Sequence, residues 1–335
     1  MKTMKKDKRC GYGRRLILLS LFCWALNSFF SGIALSAPAD FPKKAVTIIV
    51  NFAPGGARDV LARGVAKTMS KYLGVPMVVM NMAGAGGARG LITLFHSAPD
   101  GYSIGVGSPT DIIDQVFEKR DYDNRKFSFI GRAQSSPTFF FVRSDSSFRS
   151  VRDFKTHGKP VRHGTPSLTQ NSTVASMIIS KRVGFPMVIV GGYQGSAATA
   201  LGLVRGEIEF SGPTLSTATP FLQSAQIRPI LTIHQKRYPV FPDIPTVVEL
   251  GYPDVANFAI DFWFMAPPGV PKERSQILES ALMKTLKDPE FLEWAKGAGV
   301  DVDPMSSEGV TKIASGFFGL LEQYRGDIET YIGKK

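Results

Sequence analysis

The sequence predicts an α/β protein of two lobes, and two observations predict it. From residue 46 onward, short apolar β-branched runs alternate with helical patterns. About 300 residues remain once an N-terminal targeting segment is set aside, more than one core fills efficiently.

Taken in order, residues 46–52 are a first strand, followed by the turn Pro54-Gly55-Gly56. The helix that follows carries Leu61, Val65, Met69 and Tyr72 on one face and is closed by Gly74 and Pro76. Residues 77–80 form a second strand, leading through a glycine-rich loop at 84–87 into a helix containing Leu91 and Leu94. Residues 102–106 are the third strand, so this βαβαβ run builds a parallel sheet. The alternation resumes with strands at 139–142, 187–190 and 228–233 and helices near 173–182 and 196–204, which makes the second lobe. The tail is helical over 276–286 and 290–296, and ends in an amphipathic stretch with Ile313, Phe317, Leu320, Tyr324 and Ile328.

Residues 1–37 read as an export signal: seven Lys and Arg residues up to Arg15 precede an uncharged apolar run over 16–35. Small residues at Ala34, Ser36, Ala37 and Ala39 place the cut between about 36 and 39, with Pro38 disfavouring a cut directly after Ala37. Retention of the run as a membrane anchor is the competing reading, set aside because small residues and a polar linker follow it. Arg14-Arg15 leaves the Tat route open beside Sec. Cys10 and Cys23, the two cysteines, both lie in this segment, and Phe22 is too bulky for a lipid-attachment signal. The exported chain is then free of disulfides, thiolate metal sites and cysteine nucleophiles.

Removing the segment lowers the formal charge from +12 to about +6. No basic stripe interleaved with aromatics remains, so nucleic acid is not an expected partner, whereas a mild positive field suits an anionic ligand. His96, His157, His163 and His234 lack metal-ligand spacing, and neither a phosphate-binding P-loop nor a nucleophile elbow is present. Arg89 interrupts a dinucleotide fingerprint at 84–90. The chain is therefore expected to carry no metal and no cofactor and not to be an enzyme.

The two glycine-rich strand-to-helix turns, at 54–56 and 84–87, point backbone N–H groups beyond the strand ends, where helix N-termini add partial positive charge. That is a carboxylate or phosphate site, or else simply two tight turns. Seven segments bear on the choice: NFAPGGARDVLAR at 51–63, NMAGAGGARG at 81–90, APDGYSIGVGS at 98–108, GYQGSAATAL at 192–201, RGEIE at 205–209, FPDIPTVVELGYP at 241–253 and APPGVP at 266–271. In this order they resemble the Bug-type extracytoplasmic solute receptors of tripartite tricarboxylate transporters, over nearly the whole exported chain.

The resemblance implies a two-lobed periplasmic binding protein fold of type II with the ligand cleft between the lobes. Residues 41–141 and 262–335 would form one lobe and 142–261 the other. It implies a periplasmic, monomeric receptor that captures a small mono- or dicarboxylate and delivers it to two membrane subunits of a permease. The ligand would be held by the loops carrying Ala53, Gly55, Gly56, Arg58 and Asp59 and by Gly84, Ala85, Gly86 and Gly87. The second lobe would close over it with the loops at 164–172 and 193–196, which carry Thr165, Thr169, Tyr193, Gly195 and Ser196. Ser108 and Thr110 are loop hydroxyls expected to face the cleft.

Three positions depart from the family pattern. Arg58 stands where a small or hydroxyl residue is usual, and reads either as a bidentate carboxylate clamp or as a solvent-facing charge. Gln194 replaces a common lysine, and Asp261 falls near a usual tryptophan, where it would repel an anion, pair with Arg58 or meet an amine. Asp59 reads first as a cap or dipole partner of its helix. A sensor of a non-carboxylate ligand and a secreted α/β hydrolase are the alternative functions.

Overall fold

The computed structural model describes residues 41–333; the export segment and both cysteines lie outside the described residues. Two mixed sheets organise the chain. The first holds β1 (Val46–Val50), β2 (Met77–Asn81), β3 (Ser103–Gly107), β4 (Ser128–Ser136), β10 (Ile260–Ala266) and β11 (Val302–Ser306), in the order β11-β4-β10-β3-β1-β2. The second holds β5 (Thr138–Arg143), β6 (Val161–Gly164), β7 (Met187–Val190), β8 (Phe210–Ser211) and β9 (Ile227–Ile233), in the order β7-β6-β8-β5-β9.

Both sheets follow one plan. Parallel strands β1, β2 and β3, and β6, β7 and β8, each meet one antiparallel strand, β10 or β5, that arrives from the other sheet. Strand β10 lies between β3 and β4, and β5 between β8 and β9. The chain thus passes between the sheets twice, at Pro137 and again between Ile233 and Ile260. The first passage precedes the boundary expected near Phe141, because Phe139, Phe140 and Phe141 already lie inside β5.

Helices cover the sheets: α1 (Ala57–Leu73), α2 (Ala88–Phe95), α3 (Pro109–Phe117), α4 (Asp153–Thr156), α5 (Asn171–Val183), α6 (Ser196–Val204) and α7 (Leu215–Gln223) in the first two thirds. The tail supplies α8 (Lys272–Thr285), α9 (Pro289–Ala298), α10 (Ser307–Gln323) and α11 (Arg325–Ile332). Helix α1 forms because Leu61, Val65 and Met69 recur on one fully buried face, and it stops at Gly74, whose φ of 72° only glycine adopts cheaply. Helix α3 starts with a capping box, Ser108 and Asp111, and Pro109 in its first turn.

Strand β5 shows why both faces of the second sheet are covered. Phe139 and Phe141 pack with Leu203, Ile208 and Ile227 on one side, while Phe140 and Val142 join the main core on the other. Each of the three phenylalanines is almost fully buried, worth roughly 1.5–3 kcal/mol apiece in transfer from water.

Candidate functional site

In both sheets the loops that leave the C-terminal ends of parallel strands run into helix N-termini, and the loops after β1, β3, β6 and β8 face a common cavity of about 460 Å³. Phe52, Arg58, Ser108 and Thr110 line it from the first lobe. Gln170, Asn171, Ser172 and the Gly212-Pro213-Thr214 turn line it from the second. The two passages between the sheets form its back wall with Pro137, Thr138, Ile260, Asp261 and Phe262.

Arg58 is buried, which rules out the solvent-facing reading, and protein groups hold its guanidinium. Its Nη1 donates to Asn51 Oδ1 at 2.6 Å and to both Asp111 oxygens at 3.1 Å, while Nη2 donates to Asp111 Oδ1 and to Ser108 Oγ. Its guanidinium stacks on the rings of Phe52 and Phe262, 4.8 and 5.5 Å from their centroids. Asp111 also accepts the Ser108 N–H at 2.8 Å, so one carboxylate caps α3 and neutralises Arg58. Burial pushes the Asp111 carboxyl up, opposed first by the Arg58 charge.

Asp261 is likewise buried, and it pairs with Arg132, not with Arg58: Arg132 Nη1 donates to Asp261 Oδ2 at 3.2 Å and Nη2 donates to Asp303. Burial again raises the carboxyl, against the pull of Arg132 and Ser135. Asp261 separates the cleft from a second cavity of about 550 Å³ behind the passages, lined by Arg132, Ser135 and His234 among others.

Asp59 folds back over its own loop. Its carboxylate accepts the Gly55 N–H, Arg63 Nε and Asn81 Nδ2, each at 2.9 Å, and the Arg63 guanidinium is the main cause holding it down to about 2. Asn81 in turn donates to the Phe52 carbonyl, tying the end of β2 to the loop after β1.

One hydrogen bond spans the cleft, from Thr110 Oγ1 to Asn171 Oδ1 at 3.0 Å, and Asn171 Nδ2 donates at 3.3 Å to the carbonyl of Ala259 in the second passage. Asn171 opens α5, whose N-terminus has no side-chain cap, whereas α7 is capped by Thr214.

Of the sequence-predicted residues, Arg58, Ser108, Thr110 and Asp261 therefore meet at the cavity. Ala53, Gly55, Gly56, Gly84, Ala85 and Gly86 occupy exposed loops and do not line it. Gly87 is buried where a Cβ would meet Asn51 Nδ2 at 2.8 Å and the Phe52 ring at 3.1 Å. Thr165 lies just beneath the surface, bonded to Thr173 and the Ser167 carbonyl, and Thr169 sits beside Ser167. Tyr193 donates to Glu207 at 3.1 Å, and Gly195 and Ser196 open α6 outside the cavity. Phe52, Phe262 and the 212–214 turn were missed. Gly212-Pro213-Thr214 carried a usable signal, a Gly-Pro turn followed by a hydroxyl cap after a strand.

Residues 61–317 match a family described as tripartite tricarboxylate transporter family receptor. A UPF0065 protein of Bordetella pertussis is 28% identical over 277 residues, covering 80% of this chain and 84% of that one. Among solved structures, a ligand-free TctC solute-binding protein from Polaromonas matches with a TM-score of 0.73 at 21% identity, over 84% of this chain and 99% of its own. A Rhodopseudomonas palustris protein solved with adipate matches with a TM-score of 0.65 at 23% identity, over 86% and 98%.

Proposed function

The chain belongs to the tripartite tricarboxylate transporter receptor family, and on that premise we propose that it captures a small carboxylate in the periplasm and hands it to the two membrane subunits of a permease. The observation that carries the reading is the cavity between the two sheets, which the uncapped N-terminus of α5 faces and a Thr110–Asn171 hydrogen bond bridges. Free amides and the helix dipole favour one negative group there without any side-chain cation. Adipate in the related R. palustris structure supports a carboxylate.

In this reading the lobes divide at the two passages between the sheets, and the ligand shifts an open and closed population by binding the closed form better. The loops at 53–56 and 84–87, Thr165, Thr169 and the turn at 193–196 belong to the rim that approaches during closure. The protein acts as a monomer without catalysis, after cleavage of residues 1–37.

A thermal-shift screen of the purified protein against aliphatic, aromatic and amino acids tests capture. A ligand at 100 times its dissociation constant stabilises by about 2.7 kcal/mol. A shift with a carboxylate supports the reading. A shift confined to uncharged or cationic compounds overturns the carboxylate. Delivery is tested in vesicles holding the two membrane subunits: uptake that does not depend on the added receptor overturns it.

A further inference from the structure

We infer that the cleft selects a monocarboxylate carried on a flat apolar ring, an aromatic acid, over a dicarboxylate. The inference rests on the carboxylate-receptor reading above and concerns which carboxylate that same cavity takes.

Charge is the first argument. Among the described residues lining the cavity, only Arg58 and Asp261 are ionisable. Arg58 has both terminal nitrogens committed to Asp111, Asn51 and Ser108, so no guanidinium edge with two free donors faces the ligand. Asp261 shares its one guanidinium partner, Arg132, with Asp303, which leaves two carboxylates against one cation at that wall. A second ligand carboxylate would meet no uncommitted positive group, and next to Asp261 it would meet a like charge.

Helix ends are the second argument, because they are not equivalent. At α3 the capping box takes up the Asp111 amide and the Ser108 N–H, and Thr214 caps α7. At α5 no side chain caps the helix, and its first residues, Asn171 and Ser172, line the cavity. One anionic group is accommodated there; α1 on the opposite wall also lacks a side-chain cap, but of its first turn only Arg58, already committed to Asp111, Asn51 and Ser108, lines the cavity.

The remaining wall is apolar. Phe52, Phe262, Pro137, Pro213 and Ile260 line it, and the Phe52 and Phe262 rings both lie against the Arg58 guanidinium. Aromatic rings and prolines offer planar surfaces on which another ring stacks in offset or edge-on geometry, whereas a flexible aliphatic diacid gains less there and loses more rotamer freedom.

Isothermal titration of the purified protein with benzoate, hexanoate and adipate tests this. Benzoate is expected to bind at least tenfold more tightly than either aliphatic acid. Phe52→Ala changes a side chain that is 38% exposed, so the fold should survive, as its melting curve would verify. The substitution is expected to weaken benzoate at least fivefold and adipate by a clearly smaller factor. Adipate or hexanoate binding as tightly as benzoate would overturn the aromatic preference while leaving the receptor reading intact. Benzoate affinity unchanged by Phe52→Ala would overturn the ring wall. If no carboxylate of any kind binds, the receptor reading falls and this inference with it.

Discussion

Arg58 and Asp111 form a buried ion pair at 3.1 Å, joining the first turns of α1 and α3 beneath the cleft, and each is less than a tenth exposed. Breaking such a pair from one side strands an uncompensated charge away from water. Arg58→Ala is therefore expected to destabilise the fold by about 3–5 kcal/mol. Urea unfolding measures this, and the pairwise replacement Arg58→Met with Asp111→Leu should recover most of the loss. A midpoint unchanged by Arg58→Ala would show that the pair is not buried in solution.

Thr110→Val removes the hydroxyl that reaches Asn171 across the cleft. One intramolecular hydrogen bond is worth about 0.5–1.5 kcal/mol, so ligand affinity should fall by roughly two- to tenfold. Small-angle scattering at a subsaturating ligand concentration should show less compaction than in the unaltered protein. Equal affinity and equal compaction would mean that this bond does not help to hold the closed form.

Gly87 and Gly86 separate backbone strain from crowding. Both have positive φ, 100° and 67°, but a Cβ on Gly86 meets nothing within 4 Å, whereas one on Gly87 collides with Asn51 and Phe52. Gly86→Ala should cost about 1–2 kcal/mol, from backbone conformation alone. Gly87→Ala should add about 1–3 kcal/mol from overpacking, and it should also weaken ligand binding, because Asn51 positions Arg58. Identical melting temperatures for the two variants would refute the distinction.

His163 lies in the core of the second lobe with neither ring nitrogen hydrogen-bonded among the described residues, its ring 4.6 Å from Phe210 and 6.2 Å from Phe140. Burial drives its folded pKa down from 6.5 to about 3. Between those values the unfolded chain binds the proton and the folded chain does not. The contribution of His163 is thus complete above pH 6.5 and is lost as the pH falls toward 3, at about 1.4 kcal/mol per unit. His163→Phe should flatten the acid limb of stability, read from urea midpoints at pH 4.5 and 7. Parallel limbs would rule the histidine out as its source.

The alternation of strands and helices was legible because each parallel strand leaves a short apolar run and each covering helix an amphipathic face, as β1 and α1 show. The passages between the sheets were less so. Pro137 is a single residue between two strands, and nothing local marks where β4 ends one sheet and β5 begins the other. The fate of Arg58 was unreadable for a different reason. Its partner stands 53 positions away, and only the placement of α3 beside α1 makes them neighbours. Asp59 was easier, since Gly55 and Arg63 both lie four residues from it. Phe262 was hidden because it enters the cleft from the returning strand β10, after the whole second lobe has intervened.

Strand β10 also sets the order in which the protein can be completed. It fills the gap between β3 and β4, which do not pair with each other, and it is made only after β5 to β9. A chain emerging from the ribosome can assemble the three parallel strands of the first sheet, but that sheet stays split until residue 260 and beyond have appeared. Its closing contacts are among the most distant in sequence, which slows folding. A polypeptide whose first sheet cannot close until its last quarter has been made carries open strand edges through most of its synthesis.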